Sequence, residues 1–207
     1  MPETIQTYQP NPELQVSDHF FRTGISGLWY LQAEKNSDQR GFFSEIVSLP
    51  ELEQVIGRSF PVKQINHARS QTNVVRGMHA EGWNKLVTAT NGLVFSAIAD
   101  IRPDSETFKQ IKYFKLGSDH QTEFVNGLFI SQGLANSVCV LEGPVSYIYL
   151  VDKLYSERDE KDDLSISIFD SDLNIDWPIS RNDMVLSERD KNAVSLQQML
   201  AEKQAGV

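Results

Sequence analysis

The chain has 207 residues, 19 of them basic and 28 acidic, for a formal net charge of −9. That charge repels a phosphate backbone or an acidic bilayer at long range, which argues against nucleic-acid and membrane partners, although local arginines could still hold a small anion. The single cysteine, Cys139, allows no disulfide within the chain and fits a reducing compartment. With no basic-then-apolar leader and no apolar run near spanning length, a cytoplasmic protein is expected.

One domain over residues 1–207 is expected, because all-β units of this length commonly stay undivided. Residues 1–17 are polar with two prolines and read as an irregular arm. Residues 24–31 read as a strand, followed by a turn at 35–39 and an extended segment at 40–46. Residues 50–57 have helical spacing with a glycine where a short helix would stop. Short runs rich in Val, Ile, Phe and Tyr follow at 61–67, 73–79, 85–90, 92–101, 107–116, 123–130, 137–141 and 144–151. A series of this kind indicates a mainly β sandwich or barrel rather than alternating β and α units. Alternation places Leu93, Phe95, Ala97, Ala99 and Ile101 on one face of their strand, and groups Val145, Tyr147, Tyr149 and Val151. Residues 156–163 read as a solvated acidic loop and 170–178 as extended and turn-rich. The tail 190–207, with Ala193, Leu196, Met199 and Leu200 at helical spacing, reads as a terminal helix.

The chemistry concentrates in residues 73–100. Arg76 and His79 enter a short loop and Lys85 leaves it, so a base that titrates near neutral pH and two cations lie within ten residues. A metal centre is not expected. His79-Ala-Glu81 offers one imidazole, and His19, His67 and His120 are scattered. Phosphate-binding glycine loops, dinucleotide fingerprints and nucleophile elbows are absent, which leaves proton transfer by side chains.

Several segments follow one another along the chain: Asp38-Gln-Arg-Gly-Phe-Phe-Ser-Glu45, Gln64-Ile-Asn66, Arg76-Gly-Met-His79, Lys85-Leu-Val87, Asp100-Ile-Arg102 with 105–108, residues 149–155, Asp176-Trp-Pro178 and Leu186-Ser-Glu-Arg-Asp190. As an ordered set they resemble one family, the nucleotide-sugar 3,5-epimerases typified by dTDP-4-dehydrorhamnose 3,5-epimerase. The resemblance implies a cupin-like jelly roll, a homodimer whose N-terminal region completes the partner's site, and chemistry without metal or other cofactor. It implies a nucleoside-diphosphate 4-keto-6-deoxyhexose as substrate. By position, His79 would be the base, Asp190 its orienting partner, Tyr149 the acid and Lys85 the stabiliser of the enolate-like oxygen. Arg76 would meet the diphosphate, with Arg40, Phe43, Glu45, Gln64, Asn66, Asn136 and Tyr155 completing the substrate pocket. Three features depart from the family pattern. Asn136 stands where a second histidine is usual, the loop from His79 to Lys85 is short and carries Glu81 and Trp83, and Ala68 replaces a frequent serine. A 3,4-ketoisomerase on the same scaffold, a non-catalytic carbohydrate-binding cupin and a metal-dependent cupin are the competing readings.

Overall fold

The computed structural model describes residues 5–118 and 123–205, so His120 and the two ends of the chain lie outside the described residues. In chain order the elements are β1 Phe20–Arg22, β2 Leu28–Glu34, β3 Asn36–Asp38, β4 Gly41–Phe43, α1 Leu49–Ile56, β5 Gln64–Ser70, β6 Val75–Ala80 and β7 Lys85–Asp100. They continue with β8 Ile111–Ser118, β9 Phe124–Ile130, β10 Leu134–Val151, β11 Leu164–Ser165, α2 Glu188–Lys191 and α3 Leu196–Ala205.

Two strands are longer than the sequence pattern indicates. Runs 85–90 and 92–101 join as β7, and runs 137–141 and 144–151 join as β10. Each bends without leaving its ladder. Gly92 has φ +71°, and a Cβ there would lie 2.4 Å from the Glu142 carbonyl oxygen, so only glycine lets the two bends approach each other. The β7–β10 register shifts between Val140 and Ser146, as expected where a long strand turns a corner.

The bends divide the strands into two facing sheets. One runs β1-β2-β9-β7-β10-β5 through the first half of β7 and the second half of β10. The other runs β8-β7-β10-β6-β11 through the complementary halves, so every pairing is antiparallel and the two long strands serve both layers. This is the expected mainly β jelly roll.

Between the sheets lie Val87, Ala89, Leu128, Ile130 and Tyr147 from the first layer, facing Val94, Ile98, Phe114, Leu116 and Val138 from the second. The outer faces are covered too. Leu31, Leu86 and Phe129 pack under Leu52 of α1 and Phe60. Phe95, Ala97, Ala99 and Ile101 share a face, as alternation indicates, and pack under Ile166, Ile168, Leu173, Leu196 and Met199. Strands buried on both faces are rigid supports for side chains.

Asp100 closes the end of β7. Its fully buried carboxylate accepts from Arg102 Nε at 2.8 Å, Ser105 Oγ at 2.5 Å and Thr107 Oγ1 at 2.6 Å. Burial alone would raise this carboxyl, but those donors outweigh it and hold it at about 2.

One expectation is corrected. The tail is not one helix: Val194 bridges Ile166 and pulls the chain extended between α2 and α3, and the Asp170 carboxylate accepts from the Leu196 N–H to start α3. The arm from residue 5 to residue 17 is irregular, as expected, apart from one 3-10 turn at Pro12–Leu14; the Tyr8 hydroxyl donates to the Arg22 carbonyl at 2.8 Å and its ring packs on Tyr30 and Phe114. Among the described residues no helix is long and apolar enough to cross a membrane.

Candidate active site

The open end between the sheets holds a cavity of about 540 Å³. Its walls come from both layers. His79 stands on β6 in one sheet, while Lys85 and Tyr149 stand on β7 and β10 in the other. Tyr149 pairs with Val87 and Lys85 with Val151, which makes Lys85 and Tyr149 diagonal neighbours on one inward face.

His79 Nε2 lies 2.7 Å from Asp190 Oδ1, and the Ser187 hydroxyl donates to Asp190 Oδ2 at 2.8 Å. Ser187 also caps α2, accepting from the Asp190 N–H, so one serine fixes both the helix start and the carboxylate. Burial works to lift the Asp190 carboxyl, yet hydrogen bonds from His79, Ser187 and the Gly77 N–H hold it below the ordinary carboxylate range. With Nε2–H donated to Asp190, Nδ1 of a neutral His79 keeps the lone pair a base needs. Gly77 permits this crowding: it has φ +108°, and a Cβ there would lie 2.5 Å from the Asn136 carbonyl oxygen.

The Tyr149 phenol is pushed upward by burial and by the Glu81 charge, with Arg76 opposing. Lys85 is buried and ion-paired with Glu81. The Arg76 guanidinium is steadied by Nε donating to Ser70 Oγ at 2.9 Å. Gln64 Nε2 donates to Asn66 Oδ1 at 2.7 Å, while Gln64 Oε1 accepts from the Tyr155 N–H at 2.9 Å, which ties the β5 edge to the rim. Asn136 is buried in the wall and accepts from Ser96 Oγ at 3.2 Å.

His79, Tyr149, Asp190, Lys85, Arg76, Gln64, Asn66, Asn136 and Tyr155 therefore all line one cavity. Arg40, Phe43 and Glu45 do not. They lie on or just past the exposed β3–β4 hairpin, where Arg40 pairs with Asp38 at 2.5 Å and Phe43 is 72 % exposed.

The cavity also has lining residues to which the sequence reading gave no role. Arg158 stacks on the Tyr155 ring with its guanidinium carbon 3.8 Å from the centroid, and Trp83 packs beside that ring at 6.4 Å. Asp163 is shared by Arg158 at 3.3 Å and Arg189 at 2.8 Å. The segment read as a solvated acidic loop thus turns Arg158 and Asp163 into the cavity wall. Its excess of charge resembles a solvated surface, and the pairing partner, Arg189, lies 26 residues from Asp163.

Comparison with known proteins agrees with this architecture. A family profile described as dTDP-4-dehydrorhamnose 3,5-epimerase matches residues 22–198. The dTDP-4-dehydrorhamnose 3,5-epimerase of Shigella flexneri is 30% identical over 175 residues, covering 83% of this chain and 92% of that protein. A dTDP-4-dehydro-6-deoxyglucose 3-epimerase from Streptomyces sp is 30% identical over 176 residues, covering 83% and 86%. A crystal structure of a dTDP-6-deoxy-D-glucose-3,5-epimerase from Legionella pneumophila, in complex with dTDP-4-keto-L-rhamnose, superposes with a TM-score of 0.79 at 31% identity over 88% of this chain and 95% of that one. On the extent of these matches, the chain belongs to the dTDP-4-dehydrorhamnose 3,5-epimerase family.

Proposed function

We propose that this protein epimerises C3, C5 or both of a nucleoside-diphosphate-linked 4-keto-6-deoxyhexose in deoxysugar biosynthesis. The observation that carries this reading is the approach from two sides: His79 comes from one sheet, paired with Asp190 of α2, and the Tyr149 phenol comes from the other, on one cavity.

A C–H bond beside the C4 ketone is acidified by the carbonyl. His79 Nδ1 takes that proton, the C–H electron pair moves into the C–C bond, and the carbonyl pair moves onto the C4 oxygen. The Asp190 carboxylate favours the imidazolium that results. The Lys85 ammonium and the Asn136 amide, which line the same cavity, would meet the developing oxyanion. Collapse of the enolate takes a proton from the Tyr149 hydroxyl on the opposite face, which inverts the centre, and exchange with solvent resets both groups. Arg76 suits the diphosphate, with Arg158 and Arg189 as further guanidiniums at the cavity. Arg40, Phe43 and Glu45, which do not line their own cavity, would suit a homodimer in which the β3–β4 hairpin covers the partner's opening.

The test is solvent exchange in D₂O over dTDP-, GDP-, CDP- and UDP-linked 4-keto-6-deoxy sugars, with NMR of the products. Deuterium at C3 or C5 with inversion is the expected outcome. A carbonyl moved to C3 would instead identify a 3,4-ketoisomerase, and tight binding without exchange a carbohydrate-binding protein.

A further inference from the structure

Glu81 is the unexpected group in this cavity. A pocket for a diphosphate dianion gains nothing from an extra carboxylate, and this one does not belong to the base pair, whose acid is Asp190. Nor does it share in the Asp163 bridge between Arg158 and Arg189. Glu81 lines the cavity two residues beyond His79, is largely buried, and pairs with Lys85 across the four-residue turn that links β6 to β7.

That turn is firmly held. The Asn84 N–H donates to Asp152 Oδ1 at 3.0 Å, Arg58 Nη2 donates to Asn84 Oδ1 at 2.6 Å, and the Lys153 ammonium bonds to the Gly82 carbonyl. Gly82 is pressed so close to Asp162 that a Cβ would lie 2.7 Å from the Asp162 Cβ. A carboxylate on so rigid a support has a fixed position. A buried ammonium without a counter-charge is costly, and an ammonium has three donors, so Lys85 can bond Glu81 and still offer hydrogens to a carbonyl oxygen.

We propose that Glu81 is a positioning residue of the proton-transfer machinery: its carboxylate fixes where the Lys85 ammonium stands and holds a negative charge on the cavity wall that Tyr149 shares. The inference rests on the epimerase reading for its consequence in catalysis. The groups facing Tyr149 are Arg76 on β6, Glu81 on the turn, Lys85 on β7, Asn66 on β5, Tyr147 on its own strand and Tyr155 at the rim. Of these, Arg76 favours the phenolate, while Glu81 and Tyr155 disfavour it alongside burial. Burial is the larger cause, and Glu81 is the carboxylate that adds to it.

The experiment reads Tyr149 directly, by ultraviolet titration of tyrosinate in each protein minus the same protein carrying Tyr149→Phe. Glu81→Gln is expected to move the Tyr149 titration down by at least about one pH unit, the effect of removing one charge within roughly 12 Å at an effective dielectric of about 20. The alkaline limb of the product-formation profile should fall by the same interval, with kcat for inversion roughly tenfold lower and KM little changed. Glu81→Asp keeps the charge but withdraws it from Lys85, so it should keep the parent Tyr149 titration while still lowering kcat. An unchanged titration in Glu81→Gln, or equal titrations in the Gln and Asp variants, overturns the inference. The titration needs no turnover, so a parent enzyme that exchanges no deuterium while the titration still shifts would defeat the epimerase reading and leave the placement of the Glu81 charge standing.

Discussion

His79, Lys85 and Tyr149 stand on strands packed within the sandwich, whereas Arg40 and Phe43 belong to a two-stranded hairpin whose residues are all exposed. Family resemblance assigns both groups to one kind of site. The sandwich holds its groups through ladders on either side and hydrophobic layers above and below, so their separations are set before any ligand arrives. A lone hairpin has neither support, and two strands by themselves are marginal in water. Under the homodimer proposed above, the reacting groups would be complete within one chain while the hairpin would serve substrate recognition in another.

The largest expected effect lies on the buried side. His79→Ala should lower product formation by about 10³-fold and abolish deuterium wash-in, since among the described residues no second imidazole lines the cavity. Tyr149→Phe should separate the two steps, with proton exchange by His79 continuing while inversion is lost. Exchange that survives His79→Ala at the parent rate would remove the base assignment.

The next effect concerns the scaffold. The Asp100 carboxyl sits at about 2 against an ordinary value of 3.8, so its native interactions add stability above pH 4 that fades as pH falls toward 2. Asp100→Asn should therefore cost about 2 kcal/mol near neutral pH and progressively less below pH 4, read from denaturant midpoints across that range. A variant with an unchanged midpoint at pH 7 would mean that the β7–β8 end does not depend on this cluster.

Much of this was legible in residue order. Alternation in 92–101 gave the correct faces, and Gly57 ended α1 where the spacing indicated, with its N–H bonded to the Glu53 carbonyl. Pattern alone failed at the corners. Asn91 and the Glu142-Gly143 pair fell between runs and read as strand breaks, but here the chain bends while the ladders resume beyond, because the partner strand bends at the same place. At the site, the His79–Asp190 contact spans 111 residues, and only resemblance could supply it. Arg158, Asp163 and Arg189 were missed for the opposite reason: charge-dense sequence resembles solvated surface until the fold pairs it.

The smallest effect tests the exposed side, and it distinguishes one chain's work from two. Phe43→Ala removes a side chain that is 72 % exposed, so it should leave the unfolding midpoint unchanged while raising KM by about tenfold, the equivalent of roughly 1.4 kcal/mol of binding. Mixing the inactive His79→Ala protein with the Phe43→Ala protein then asks whose cavity the hairpin serves. If it serves a partner, a mixed dimer contains one cavity with an intact His79 covered by an intact hairpin, and low-KM activity returns in proportion to mixed dimers formed. If the hairpin folds over its own chain's cavity instead, every cavity in the mixture keeps one lesion and no recovery occurs, which would place the whole site within a single chain.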